Sequence, residues 1–129
     1  MSEPVIADSS CLIGLCRAGK LEILHKVFTK IIIPEAVYHE VVIMGKGRAG
    51  SDEVKHADWI EKRKVKNELA VRTLRLHLGS GESEAIVLAE ECKAKFVILD
   101  DLNARQRAAF LKLSVIGTVA VCKRRKKRG

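Results

Sequence analysis

The sequence predicts an α/β protein: a three-layer α/β/α sandwich around a central, mostly parallel sheet. Short runs such as 31–33 and 96–99 are apolar at every position, which is typical of strands that are covered on both faces. They alternate with segments whose apolar residues recur at helical spacing, as they do when helices cover both sides of a parallel sheet. The length of 129 residues, 47% of them apolar, is enough for one domain with one core and too short for two.

In the first half, strands and helices alternate from the start. The pattern predicts a strand at 4–7, a helix that follows Ser10 and stops at Gly19, a second helix over 21–28, a strand at 31–33, and a helix that begins at Pro34 and carries Val37, Val41 and Met44. The glycine-rich segment 45–52 is expected to be a flexible excursion within the domain.

The second half begins with a polar stretch, up to Arg75, in which no element is recognisable. Beyond it we expect a helix after Gly79 and Gly81 with apolar residues as far as Cys92, a strand at 96–99, a helix over 102–113 and a strand at 115–116. The domain is predicted to span 1–122, followed by a basic tail over 123–129.

Charge and composition exclude several classes of protein. The formal net charge is +8, but 123–128 carry six positive charges and no acid, so 1–122 has a net charge of +2. The basic run is either a solubilising tail or an element that attracts RNA in a salt-dependent way. No apolar run is long enough to cross a membrane and no signal segment is recognisable, so we expect a cytoplasmic protein. Its four cysteines are expected to be reduced thiols.

Acidic residues follow two of the predicted strands directly. Asp8 comes after the first strand, and Asp100 and Asp101 come after the strand at 96–99. Ligands of open α/β sheets bind beyond the carboxyl ends of the strands. The alternative role for each of these acids is capping of the helix that follows.

Two further acids border apolar helical stripes. Glu40 lies beside Val41, and Glu84 precedes Ala85; each is either an ordinary edge residue of its helix or a member of the same site as Asp8. Converging carboxylates repel one another unless a cation neutralises them. Mg²⁺ and Mn²⁺ prefer such oxygen ligands, and their use in a site of this kind is phosphodiester hydrolysis.

Other motifs in the sequence are incomplete or lie in the wrong structural context. The segment 45–50 matches G-x-G-x-x-G, but it follows a predicted helix where a dinucleotide fingerprint must follow a strand. His39-Glu40 begins an H-E-x-x-H motif that Ile43 interrupts, and the remaining histidines lack metal-binding spacing. Ser9 and Ser10 have no G-x-S-x-G context.

Four segments in order resemble the PIN-domain nucleases, in particular their small prokaryotic VapC-like branch. They are V-I-A-D-S-S, I-P-E-A-V-Y-H-E-V, G-E-S-E-A-I-V-L-A and L-D-D-L-N-A-R. The resemblance implies an α/β/α sandwich, a Mg²⁺- or Mn²⁺-dependent endoribonuclease site and a homodimer. It also implies the role of a toxin that a cognate antitoxin holds inactive.

The resemblance also implies roles for particular residues. Asp8 and Glu40 match the first and second family acids, Glu84 the third, and Asp101 the fourth, with Asp100 as its alternate; Ser10 matches a hydroxyl residue that supports the metal or its water. Two departures weaken the match, because many members have Thr where this chain has Leu99 and Asp where it has Glu84.

The sequence therefore predicts a metal-dependent ribonuclease that cleaves RNA. One alternative is a catalytically inactive PIN-fold module that binds RNA or a partner protein. Another is a nucleotide- or phosphate-binding regulator, which would require a glycine-rich turn where Asp8-Ser9-Ser10 stands.

Overall fold

A computed structural model of the chain describes residues 4–128, and their side chains over 4–124. The strands are β1 (Val5–Ala7), β2 (Ile31–Pro34), β3 (Ile60–Arg63), β4 (Phe96–Ile98) and β5 (Val115–Ile116). The helices are α1 (Ser9–Arg17), α2 (Glu22–Phe28), α3 (Glu35–Tyr38), α4 (Ser51–His56), α5 (Glu68–Leu74), α6 (Ser80–Cys92), α7 (Leu102–Phe110) and α8 (Thr118–Arg128), and a π-helical turn at His39–Ile43 continues α3. Within 4–128, no helix has the length and apolarity that crossing a bilayer requires.

The five strands form one parallel sheet in the order β3-β2-β1-β4-β5. The chain builds outward from β1 through β2 to β3 and then returns to the other side of β1 with β4. The strand order therefore reverses between β1 and β4, which pair in parallel with Ile6 opposite Val97. The crevice beyond the carboxyl ends of these two strands is the point where open α/β sheets bind ligands.

Helices cover both faces of this sheet, as the apolar runs predicted. Alternate residues of each strand point to opposite faces, so Ala7 and Ile33 pack in one core cluster and Ile6 and Ile32 in the other. Buried residues of α1, α2, α3, α4 and α8 fill the first cluster, and those of α5, α6 and α7 fill the second. The predicted three-layer α/β/α sandwich is confirmed.

The region up to Arg75 holds three elements that the sequence pattern did not predict: α4, β3 and α5. The strand β3 reads Ile-Glu-Lys-Arg and lies at the edge of the sheet with its residues half-buried or exposed, so it lacks the apolar run of a central strand. The excursion expected at 45–52 ends earlier, because α4 begins at Ser51, whose hydroxyl donates a hydrogen bond to the Val42 carbonyl (2.8 Å).

The basic run that was expected to be a tail is helical as far as Arg128. Its helix α8 is anchored by Val121, which is fully buried, and by contacts with α2. Gly129 and the side chains of 125–128 lie outside the described part of the chain.

Candidate active site at the carboxyl edge of the sheet

Asp8 lies at the reversal of strand order, directly after β1. It caps α1, because its Oδ1 accepts a hydrogen bond from the Cys11 N–H (3.3 Å). The residue is only 1% exposed and has no ion-pair partner among the described residues, which is rare for a carboxyl group. Burial is the main cause that raises the pKa of Asp8 to about 7; the charges of Glu82, Asp100 and Glu40 contribute to this rise, and the hydrogen bond from the Cys11 N–H opposes it. The structure thus shows the capping role foreseen for Asp8 and places its side chain at the edge of the sheet where the site was predicted.

Glu40 reaches this crevice from the π-helical turn. Within that turn the Met44 N–H bonds to the His39 carbonyl five residues earlier (2.8 Å), and such turns are frequent at functional sites. The Glu40 Oε1 accepts a hydrogen bond from the Ser9 hydroxyl (2.9 Å), and the Glu40 charge raises the pKa of Asp8. The structure therefore brings Glu40 to Asp8, as the sequence predicted.

Ser9, and not Ser10, is the serine that touches a site acid. Ser9 is 8% exposed and holds Glu40, whereas Ser10 is exposed in the first turn of α1. Neighbouring positions of a helix point about 100° apart, so the two serines of the Asp8-Ser9-Ser10 segment cannot both face the π-helical turn. The sequence could not decide between them.

Glu82 is an acid of the candidate site that the sequence did not predict. It lies in the first turn of α6, where its Oε1 accepts a hydrogen bond from the Gly79 N–H (3.4 Å). Burial raises the pKa of Glu82, and the charges of Asp101 and Glu40 raise it further. Since Glu82 also acts on Asp8, it interacts with the acids that cap α1 and α7 and with the acid of the π-helical turn.

Glu84, predicted as the third acid, is held elsewhere. Its Oε1 accepts a hydrogen bond from the Ala36 N–H (3.0 Å), so it caps the first turn of α3. It also lines a hollow of about 330 Å³ with Lys64 and Arg72. Positions two apart on a helix differ by about 200° in direction, which is why the side chains of Glu82 and Glu84 project from opposite sides of α6.

Asp100 and Asp101 border the crevice on different neighbours. The two carboxylate oxygens of Asp100 accept hydrogen bonds from the N–H (2.8 Å) and the hydroxyl (2.6 Å) of Thr118. Asp101 caps α7 through Oδ2, which accepts from the Ala104 N–H (2.9 Å). The charge of Asp100 acts on Asp8 and that of Asp101 acts on Glu82, so the structure brings both aspartates to the edge of the site.

The arrangement is a set of mutually repelling carboxylates around one buried member. Their oxygens are the donors that hard divalent cations prefer, and a cation there would oppose the rise in the pKa of Asp8. Over the side chains of 4–124, however, no three Asp, Glu, His or Cys residues lie at metal-binding spacing. The donor chemistry fits a divalent cation, and the acids interact at a range longer than ligation.

A second concave region lies at the opposite edge of the sheet. It is a cavity of about 580 Å³ lined by His25, His56 and Trp59, among others. The Trp59 carbonyl accepts a hydrogen bond from the N–H of Ile31, the first residue of β2, which places the cavity at the amino ends of the strands. It is therefore separate from the carboxylates around Asp8.

Comparison with known proteins agrees with this architecture. A family model described as a PIN domain matches residues 4–129, which is nearly the whole chain. No curated protein matches the sequence.

Proposed function

The chain belongs to the PIN-domain family, whose members are generally nucleases, and on this premise we propose that it is a divalent-metal-dependent endoribonuclease. The single observation that carries the proposal is the burial of Asp8 at the strand-order reversal beneath the charges of Glu40, Glu82 and Asp100. A buried acid surrounded by like charges is unfavourable for stability alone. Such clusters of perturbed carboxylates mark functional sites.

The cation in this proposal is Mg²⁺ or Mn²⁺. Its ligands would be Asp8, Glu40, Glu82 and either Asp101 or Asp100. In this set, Glu82 takes the place that the family likeness gave to Glu84. When bound, such a cation binds phosphate oxygens and promotes attack by water on the phosphodiester. Because the acids do not yet lie at ligating spacing, binding would draw together carboxylates that now interact at longer range.

The chain's own residues have defined tasks in this proposal. The Cys11 N–H holds one oxygen of Asp8, and the Ser9 hydroxyl holds one oxygen of Glu40. Each bond fixes the direction of its carboxylate while the second oxygen has no hydrogen-bond partner within the described residues. Ser9 is thus a positioning residue, and we assign it the supporting role that the resemblance gave to Ser10.

RNA as the substrate, a toxin role with a cognate antitoxin, and a homodimer are further parts of the proposal. They are supported by the four VapC-like segments of the sequence and by the family to which the chain belongs. The basic excess of the chain also favours a polyanionic substrate.

A catalytically inactive PIN-fold module is the second candidate. The observation that favours it is the absence, within 4–124, of three potential ligands at metal-binding spacing. The two candidates differ in one measurable property, because an inactive module has no need to bind a divalent cation at the carboxylates.

The deciding experiment combines Mn²⁺ calorimetry with cleavage of single-stranded RNA. The wild-type protein should bind Mn²⁺ saturably at neutral pH and cleave RNA only in its presence, and Asp8→Asn should abolish both. Asp58→Asn is the matched control, because Asp58 is an exposed acid that lines the remote cavity. Absent Mn²⁺ binding, or cleavage that Asp8→Asn leaves unchanged, would reject the nuclease site and favour the inactive module.

A further inference from the structure

Two basic side chains meet on one aromatic ring at the amino end of β4. The Arg124 guanidinium carbon lies 4.6 Å from the centroid of the Phe96 ring, and the Lys95 Nζ lies 5.9 Å from it. Phe96 is in turn packed against Phe28 of α2 (6.2 Å between centroids). Cation–π contacts at exposed sites are weak attractions, so these contacts favour an arrangement in which the two cations lie near each other on the ring.

No acid neutralises this pair in the part of the chain that the structure describes. Both ion pairs found there use Glu61, and Lys95, Lys123 and Arg124 are exposed. The sequence adds four more basic residues at 125–128, which continue α8. We call Lys95, Lys123 and Arg124 the basic surface.

The basic surface lies at the amino end of β4, and α8 connects it to the carboxylates at the carboxyl edge of the sheet. Thr118, the first residue of α8, bonds to Asp100 through its N–H and its hydroxyl. At about 1.5 Å per residue, Arg124 lies about 9 Å further along the helix axis. The strand β4 also joins the basic surface to the carboxylates, because Phe96 is its first residue and Asp100 lies two residues beyond its last residue. A chain of phosphates could therefore run along α8 to the carboxylates.

We propose that the basic surface holds the phosphate backbone of single-stranded RNA while the carboxylates act on a phosphodiester further along the same strand. This inference rests on the proposed function and adds to it the surface that binds the substrate. Uncompensated cations attract a polyanion by releasing its counterions. Binding of this kind does not depend on base sequence, so the surface contributes affinity for RNA and no preference for a particular sequence.

An anionic membrane is the competing partner for a basic helix. A helix that lies on a membrane inserts an apolar face, but Val121 of α8 is fully buried in the core and Cys122 is half-buried against it. The apolar face of α8 that would insert into lipid is therefore already packed against the core of the domain. Basic residues at the end of a helix also stabilise its dipole, and that role predicts an effect on stability alone.

The test measures binding of a long single-stranded RNA as a function of salt, with Asp8→Asn as the background so that the RNA stays intact. The triple variant Lys95→Gln, Lys123→Gln, Arg124→Gln should have a shallower slope of log K against log salt by about 2, since each phosphate contact with single strands contributes about 0.7. The matched control, Lys46→Gln, Arg48→Gln, Lys55→Gln, removes three exposed charges from the loop and α4. It should leave the slope near that of the background.

Activity and vesicle binding complete the test. On the cleavage-competent chain, the triple variant should raise KM for the long RNA without changing kcat, and it should cleave a dinucleotide as the wild type does. An unchanged slope for the triple variant, or a decrease in its slope no larger than that of the control, would overturn the proposal that the basic surface binds RNA. Binding to vesicles of anionic lipid with an unchanged RNA slope would overturn it in favour of a membrane.

The outcomes separate this inference from the nuclease proposal. If the wild type cleaves no RNA but the triple variant still changes the salt slope, the basic surface stands and the proposed function fails. If Asp8→Asn abolishes cleavage but the triple variant has the wild-type slope, the proposed function stands and the basic surface fails.

Discussion

Gly81 of α6 leaves just enough room for the carboxylate of Glu40. A Cβ atom built on Gly81 would lie 2.5 Å from the Glu40 Oε1 and 3.3 Å from the Ser9 Oγ. The hydrogen bond between Ser9 and Glu40 therefore exists in its present place only because position 81 has no side chain. The glycine of the G-E-S-E-A-I segment thus shapes the crevice, and the acid that follows it, Glu82, contributes charge.

Gly81→Ala should lower RNA cleavage by at least about 10-fold while barely changing stability. The Ala Cβ must displace the Glu40 carboxylate, and misplacement of a catalytic group is costly in rate. Gly81 is the second residue of α6, where the preference of a helix for alanine over glycine is worth less than about 1 kcal/mol and offsets part of the steric cost. Cleavage assays and urea denaturation on the same preparation measure the two effects.

Gly14→Ala is the control, because Gly14 lies within α1 and a Cβ there would meet no atom within 4 Å. It should raise the free energy of unfolding by roughly 0.5–1 kcal/mol and leave cleavage unchanged. Equal activity of the Gly81 and Gly14 variants would contradict the packing argument.

Substitution of Glu82 should lower cleavage, whereas removal of the Glu84 side chain should lower stability. Glu82→Gln keeps an acceptor for the Gly79 N–H but removes a charge from the crevice, so cleavage should fall by about 100-fold, the upper range seen for groups that support a metal. Glu84→Gln keeps the cap on Ala36 and should leave cleavage near the wild-type rate. Glu84→Ala removes that cap and should lower the free energy of unfolding by about 1 kcal/mol. A larger activity loss at 84 than at 82 would restore the assignment that the sequence suggested.

Asp8 should make the protein less stable as the pH rises. Its folded pKa of about 7 exceeds the ordinary value of 3.8, so between these pH values the folded state keeps a proton that the unfolded state has lost. The free energy of unfolding therefore falls as the pH rises through this window, by up to about 4 kcal/mol at 1.36 kcal/mol per pH unit. Burial is the main cause, and the carboxylates of Glu82, Asp100 and Glu40 add to it.

Urea denaturation of wild type and Asp8→Asn at several pH values, with chelator present, measures this effect. The asparagine does not titrate and can still accept from the Cys11 N–H, so its advantage over the wild type should grow from pH 4 to pH 7. Addition of Mg²⁺ at pH 7 should stabilise the wild type selectively. Parallel stability curves for the two proteins would show that Asp8 keeps an ordinary pKa.

The sequence predicted the parts of this protein that depend on local pattern. Runs that are apolar on both faces predicted the central strands, and the acids that follow β1 and β4 were predicted to share one crevice, because parallel strands end at one edge. The edge strand β3 carries three charges among its four residues and gave no such signal. The choice between Glu82 and Glu84 depended on where α6 begins and on the Ala36 N–H, a partner 48 positions away. No periodicity reports a contact of that range.

Asp101, and not Asp100, should be the fourth acid. Both oxygens of Asp100 are held by Thr118, whereas Asp101 uses Oδ2 to cap α7 and its Oδ1 has no hydrogen-bond partner among the described residues. Asp101→Asn should therefore lower cleavage and Mn²⁺ affinity by about 100-fold. Its melting temperature should barely change, because asparagine is an equally good helix cap.

Asp100→Asn should lower cleavage by less than about 10-fold and act mainly on the start of α8, because an amide can still accept from the Thr118 N–H but loses the charge that strengthens this bond. Thr118→Val should have a similar effect on stability, since it removes the hydroxyl that Asp100 accepts from. If Asp100→Asn costs more activity than Asp101→Asn while both proteins remain folded, Asp100 is the fourth acid. In that case the Thr118 bonds are the contacts that aim its carboxylate at the site, and Thr118→Val should lower cleavage together with Asp100→Asn.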